Sequence, residues 1–281
     1  MPDQKLTVAT CQFAENWEPL HNARIMCGLI ARAARMKADV VHFHESALSG
    51  YGEAVGTPEY NWADLKKATK AVLDQARRSK VWVIFGSSHP LTPPHKPHNS
   101  LYVVSPAGRI VERYDKRFCT EGDLKCYSPG DHYVTFKIRG FVCSCLICFD
   151  LRIPELYRDL ARLGVRLLFQ SFHNARRKKA RGIWNKIMRR TVQAHAGMNN
   201  MWISANNSTA HLSCWPSVFV TPDGLVAGQM VIDKAGVMTN VVDPTIKYYD
   251  AAGTSRELAL KGGRNTGRTV RDPRSRNRTC Y

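Results

Sequence analysis

Acidic side chains are scarce in this 281-residue sequence, 23 Asp and Glu against 41 Lys and Arg, which leaves a formal net charge of +18. An excess of that size raises nucleic acid or another anionic surface as a partner. Bulk disorder and fibrous repeats are excluded, because 44% of the residues are hydrophobic, only 23% are charged and no short-period repeat recurs. Nowhere does an apolar run approach the ~18 residues that a membrane-spanning helix requires. The N-terminal MPDQKLTVATCQF carries an acid and no apolar h-region, so the sequence predicts a cytoplasmic protein with no membrane partner. A disulfide framework is missing as well: the nine cysteines are odd in number and scattered through apolar runs, which predicts reduced thiols.

The positive excess is local. Residues 171–190 hold eight basic side chains (Arg176, Arg177, Lys178, Lys179, Arg181, Lys186, Arg189, Arg190) and no acid, and residues 261–281 hold seven against Asp272 alone. Those two stretches carry 14 of the 18 net charges, so the rest of the chain is close to neutral. Neither stretch interleaves the aromatic platforms that single-strand binders use, Trp184 being alone. From about residue 253 the chain mixes Gly, Arg and polar residues with almost no apolar period. We read 1–252 as one domain and 253–281 as a basic extension, an extended arm on a partner subunit.

Strand-like apolar runs at 6–13, 40–44, 81–87, 100–104, 109–114, 133–138, 141–147, 166–170, 201–205, 216–221, 226–232 and 236–242 alternate with helical periodicity around 20–37, 62–79, 154–163 and 180–197. Strand–helix–strand–helix followed by paired strands occurs in both halves. That pattern suits a two-layer sandwich of sheets covered by helices, an α/β fold.

Three residues stand where chemistry is possible. In FVCSCLICFDLRIPELYRDLARLG (141–164) an apolar strand ends at Cys148 and runs within six residues into a helix starting at Pro154. A thiol near a helix N-terminus and free backbone N–H groups is favoured as the thiolate, the nucleophilic form, whereas Cys143 and Cys145 read as small core hydrophobes. Alternation puts 143 and 145 on one face and 148 off it, so the three do not converge on a metal. In VVHFHESALSGYG a strand ends in Glu45, a carboxylate that is costly to bury unless paired or given work; by itself it also reads as a solvated or capping residue. His42 and His44 beside it read as hydrogen-bonded filler. In RIVERYDKRFCTEGD a strand ends in Tyr114 and Lys116 follows in a loop, alone indistinguishable from a solvated charge.

Taken together, Glu45 before a Gly-Tyr turn, Lys116 after a later strand, and Cys148 in the run ICFDLRIPELYR resemble the carbon–nitrogen hydrolase (nitrilase) superfamily over about residues 5–245. The resemblance implies a four-layer α-β-β-α sandwich, a single domain that forms a homodimer or higher homo-oligomer, and a Glu-Lys-Cys triad that cleaves non-peptide C–N bonds with no metal and no organic cofactor. By position, Cys148 would be the nucleophile, Glu45 the general base, and Lys116 with the backbone N–H of Phe149 the oxyanion stabilisers. The family's further carboxylate between lysine and cysteine is assigned here to Glu121, with Asp123 nearer the expected spacing to Pro129-Gly130. Asp150, Arg152 and Glu155 would brace the nucleophile turn. His173 and Asn174, and Tyr51, lie where substrate contacts are expected; equally they read as polar loop residues. Cys148-Phe149-Asp150 is similar to the Cys-Tyr-Asp of amidase and carbamoylase branches more than to the Cys-Trp-Glu of nitrilases, which favours a small amide or N-carbamoyl substrate. Nitrile hydrolysis and acyl transfer stay open, as does a nucleic-acid or acidic-partner binding role for the basic segments.

Overall fold

The computed structural model describes residues 4–52, 60–176 and 178–279; of the basic run, Arg177 and the side chains of Lys178 and Lys179 lie outside the described residues, as does Cys280. The first half runs β1 (Leu6–Gln12), α1 (Pro19–Arg35), β2 (Val40–Phe43), α2 (Trp62–Ser79), β3 (Trp82–His89), β4 (His98–Val104), β5 (Ile110–Asp115) and a short α3 (Glu121–Cys126). The second runs β6 (Phe136–Ile138), β7 (Phe141–Ile147), a 3₁₀ turn (Cys148–Arg152), α4 (Pro154–Arg162), β8 (Leu167–Phe172), α5 (Lys178–Asn199), β9 (Trp202–Asn207), β10 (Val218–Val220), β11 (Val226–Gln229) and β12 (Gly236–Val242).

Each half builds one sheet around three parallel strands, β1-β2-β3 in one and β7-β8-β9 in the other. Antiparallel β4 and β5 extend the first sheet and β10 and β11 the second, while β12 crosses back to pair with β1. Strands covered on both faces read as continuous apolar runs, which is why these segments are legible without clean alternation. On one face of the first sheet Val41, Phe43, Val83 and Phe85 pack against Met26, Ile30, Leu65 and Val72 of α1 and α2. The other face presents Val8, Val40, Ile84 and Leu101 to Cys143, Cys145, Phe169 and Ile203 of the second sheet, whose far side carries α4 and α5. Four layers result, helix, sheet, sheet, helix, as the resemblance implied.

Polar side chains stitch the two sheets near the middle. His42 meets the Ser204 hydroxyl through Nδ1 and the Ser171 hydroxyl through Nε2, both at 2.9 Å, and the Asn206 amide donates to the carbonyls of Cys11 at 2.8 Å and His42 at 2.6 Å. Burial, then the neighbouring His44, hold His42 down to about 3, so it serves as an uncharged cross-link between hydroxyls. This agrees with its reading as filler.

The extension departs from the extended arm expected of it at its first eight residues. Residues 253–260 form α6 (Gly253–Leu260), whose Arg256 is buried and pairs with Asp250 through both guanidinium nitrogens at 2.6 and 2.5 Å. Arg162 of α4 donates to the Leu260 carbonyl at 3.1 Å. A paired guanidinium and a shared carbonyl tie this helix to its own chain, information that composition does not carry. Further on, α7 (Pro273–Arg276) has no buried residue.

One glycine in this framework controls where the site forms. A Cβ on Gly86 of β3 would lie 2.3 Å from the Ser46 nitrogen and 2.4 Å from the His44 carbonyl, both backbone atoms of the turn that carries Glu45. We expect Gly86→Ala to lower stability by about 1–3 kcal/mol, because backbone on both sides must shift, and to suppress activity beyond what that loss explains. Urea unfolding alongside turnover checks this; wild-type values for both would refute the close packing.

Candidate active site

Glu45 follows the end of β2, where the chain turns through Ser46 at a φ of +55° and folds over β3, the Leu48 N–H bonding to the Gly86 carbonyl at 2.9 Å. Its carboxylate has no exposed surface and lies between the sheets. From the first sheet, Lys116 Nζ at 2.9 Å and Asn99 Nδ2 at 2.7 Å both donate to Oε1. From the second, the backbone N–H of His173 donates to Oε2 at 2.7 Å.

Lys116, just past β5, is fixed by its own backbone, whose N–H bonds to the Asn99 carbonyl at 2.8 Å and whose carbonyl accepts from Gly130 at 2.8 Å. Its ammonium is also wholly buried, lying 2.9 Å from Glu45 and 2.8 Å from Asp123. Burial alone would pull this lysine down, and Glu45, Cys148 and Asp123 together hold it well above its ordinary value. For Asp123, burial pushes up and the Lys116 charge, aided by Thr120 and Tyr51, wins in the downward direction.

The structure therefore corrects the accessory carboxylate. Asp123 meets Lys116, while Glu121 is exposed on the pocket rim. Helix geometry is the reason. Thr120 caps α3 and Asp123 is its third residue, so the Asp123 carboxylate turns back to take the Thr120 N–H at 2.9 Å and faces Lys116, whereas the first position, Glu121, points outward. The Thr120-x-x-Asp123 spacing was the available signal.

Cys148 ends β7 in a left-handed conformation, φ +45°, at the first residue of the 3₁₀ turn. A non-glycine residue there is strained, and the turn is over-determined by its surroundings. Asp150 does most of that: one oxygen accepts from Ile147 N–H at 2.9 Å and Tyr114 hydroxyl at 2.8 Å, the other from Phe118 N–H at 3.0 Å. Burial still lifts Asp150 to about 6 against those bonds. Of the three expected braces Asp150 alone serves. Glu155 is exposed, and exposed Arg152 lines the pocket, with Nη2 3.5 Å from the Met188 sulfur.

Around the half-buried thiol, Asn174 is pinned by Trp215, whose indole N–H donates to Oδ1 at 2.9 Å, so its amide nitrogen faces Cys148 Sγ at 3.4 Å. Burial first, then Glu45, push the thiol well up; Lys116 and the backbone of His173 oppose them. Desolvation and the nearby carboxylate thus outweigh the groups that favour the thiolate, and the balance lies toward the thiol. A cavity of about 430 Å³ opens over the sulfur, walled by Tyr51, Phe149, His173, Asn174, Trp184 and Met188.

Sequence reasoning missed two members. Asn99 looked like an ordinary strand residue. Glu15, in the loop after β1, carries no local signal, yet it is buried, accepts from His173 Nε2 at 2.8 Å and Ser208 hydroxyl at 2.5 Å, and lies 3.7 Å from His44 Nε2. Burial pushes Glu15 up, and His173, His44 and Ser208 outweigh that to hold it at about 2.

The family model for carbon-nitrogen hydrolases matches residues 7–249. The chain belongs to the carbon–nitrogen hydrolase family. Among curated relatives, the omega-amidase of Mus musculus is 27% identical over 239 residues, 80% of each chain, and an (R)-stereoselective amidase of Pseudomonas sp is 26% identical over 200 residues, 70% of this chain and 66% of that one. An amidase from Nesterenkonia sp. superposes with a TM-score of 0.71 at 18% identity, covering 84% of this chain and 90% of that one. A variant of that enzyme carries the acetamide moiety of fluoroacetamide on its active-site cysteine.

Two outcomes are expected of this carbon–nitrogen hydrolase. Asp123→Ala should cost about 3 kcal/mol in urea unfolding, since it strips a partner from a buried ion pair, while Glu121→Ala stays within ~0.5 kcal/mol; equal effects would contradict the assignment. Glu15, lowered from 4.5 to about 2 on folding, contributes about 3 kcal/mol that is fully present above pH 4.5 and lost as pH falls toward 2. The stability gap between wild type and Glu15→Gln, followed by urea unfolding across that range, should close with acid; a gap independent of pH would contradict it.

Proposed function

We propose that the protein hydrolyses a small amide or N-carbamoyl compound through a Cys148 thioester, with Glu45 as general base and Lys116 as oxyanion stabiliser. What carries the reading is the wholly buried Glu45–Lys116 pair, 2.9 Å apart, electrostatically coupled to a thiol at the floor of a cavity. Because burial and Glu45 keep the sulfur protonated at rest, a base is required, and Glu45 is the carboxylate beside it.

In this mechanism the thiol proton passes to Glu45 as sulfur bonds to the substrate carbonyl carbon. An ammonium has three donors, and Lys116 gives one to Glu45 and one to Asp123, leaving the third for the oxyanion. The Phe149 backbone N–H supplies a second donor. Glu45 returns the proton to the leaving nitrogen, the C–N bond breaks, and ammonia or an amine departs from the thioester. Water then gives a proton to Glu45, its oxygen bonds to the acyl carbon, and the C–S bond breaks; the proton returns to sulfur as the acid leaves. Asn174 steadies the sulfur throughout. The cavity of about 430 Å³ suits a small acyl group against aromatic and Met walls, with Glu121 and Arg152 at the rim for a polar end.

The test is intact-protein mass spectrometry with ammonia detection across small amides, ureido acids and nitriles, for wild type, Cys148→Ala and Glu45→Gln. Wild type should show a transient acyl adduct and ammonia; Cys148→Ala should lose both, and Glu45→Gln should slow turnover by about a hundredfold or more. Undiminished ammonia from Cys148→Ala would overturn the reading. Conversion of a nitrile mainly to its acid would move the enzyme to the nitrilase branch.

A further inference from the structure

Glu15 is a buried carboxylate that the mechanism above does not use. Glu15 does not line the cavity, and its side chain is 1% exposed. It is nevertheless one residue removed from Glu45 along two separate paths.

The first path runs through His173. This residue follows β8, between Phe172, in the last ladder pair with Asn207, and Asn174, whose N–H donates to Asn207 Oδ1 at 2.8 Å and whose carbonyl accepts from Cys214 at 2.7 Å. Its backbone N–H donates to Glu45 Oε2 at 2.7 Å, a hydrogen bond that comes from the second sheet. Beyond these main-chain anchors His173 is held by its ring, which lies 2.8 Å from Glu15 Oε1 through Nε2 and stacks on Tyr51 at 4.5 Å, while Nδ1 is buried with no partner among the described residues. The second path runs through His44, whose Nδ1 donates to the Glu45 main-chain carbonyl at 3.0 Å and whose Nε2 faces Glu15 Oε2 at 3.7 Å.

We propose that Glu15 is a positioning residue for the general base: its carboxylate clamps the His173 imidazole, and thereby holds the His173 N–H on Glu45 Oε2 so that the base keeps its aim at Cys148. The inference rests on Glu45 being the base. Loss of the clamp lets the Glu45 carboxylate turn about its last bond, since Lys116 and Asn99 restrain only Oε1. A carboxylate suits the position because three groups facing it donate: His173 Nε2, the Ser208 hydroxyl and the Arg176 guanidinium at 3.4 Å. A glutamine offers one acceptor where two are needed.

The probe is p-nitrophenyl acetate, whose acyl group loads the cysteine whatever the natural amide is. Steady-state kcat and KM are measured at pH 7.5 for wild type, Glu15→Ala, Glu15→Gln, His173→Ala and the Glu15→Ala/His173→Ala pair, with Cys148→Ala as background. Glu15→Ala should lower kcat about tenfold with KM within about twofold, Glu15→Gln should fall between it and wild type, and the pair should lose no more than the worse single variant. A wild-type kcat in Glu15→Ala, or a pair whose loss is the product of its singles, overturns the proposal. Where Glu15→Ala fails to fold, Glu15→Gln carries the same comparison with its volume kept. Glu45→Gln separates the two readings: full activity there removes the base assignment itself, while an inactive Glu45→Gln beside a fully active Glu15→Ala removes only the clamp.

Discussion

A lysine ammonium with no exposed surface is the constraint on which the rest of the site depends. Moving Lys116 out of water is tolerable only because Glu45 and Asp123 stand 2.9 and 2.8 Å away, and each of those buried carboxylates in turn needs the lysine. The three groups come from the end of β2, the residue after β5 and the first turn of α3. None of them can be ionised in place unless the first sheet and α3 have closed around the others. The charge balance therefore reports whether the fold is complete at the place where the cavity opens.

Two carboxylates on one ammonium leave a net negative charge beside Cys148. Burial is the first reason that the thiol is pushed up rather than down, and that excess adds to it in spite of a lysine nearby. It also divides the labour in the proposed mechanism: the sulfur is held unreactive until a base takes its proton, and the lysine keeps a donor for charge that develops on substrate oxygen. Cys148 comes from the second sheet, anchored by Asp150, which reaches across to Tyr114 of β5 and the Phe118 N–H of the following loop. The proposed base and nucleophile are thus placed by different sheets, and their relation is set by the bonds that cross between them.

Much of this was legible in the chain. Parallel strands covered on both faces wrote themselves as apolar runs, Pro154 marked the start of α4, and Glu45, Lys116 and Cys148 stood at strand ends in a spacing that matches a known family. What sequence could not supply were long-range partners. Glu121 and Asp123 differ by two positions, and only the Thr120 cap decides which of them turns back onto Lys116. Arg152 and Glu155 look like braces in a motif, but Arg152 ends the 3₁₀ turn at the pocket and Glu155 lies exposed in the first turn of α4. Residues 253–260 have the composition of an arm, yet they form a helix whose Arg256 pairs with Asp250 and whose Leu260 carbonyl accepts from Arg162 of α4. Glu15 is the extreme case: nothing within several residues of it suggests burial, and its partners are 29, 158 and 193 residues away in sequence, distances that only the sandwich brings together.

The same contrast says what kind of residue tunes such a site. In the proposed mechanism Cys148, Glu45 and Lys116 act on the reacting atoms, so their identities would be bound to the chemistry, and their spacing can be read. Glu15, Asn99 and Asp123 act by holding those three, through bonds that another geometry could replace. Burial makes the holding strong: each missing bond leaves a buried carboxylate oxygen short of a donor, at a cost of about 1–3 kcal/mol. A site whose charged groups are all desolvated must be specified by its supports as tightly as by its reactive atoms. Here one sheet supplies the supports of Oε1 and the other the support of Oε2, so the aim of the base depends on the packing of the two halves against each other.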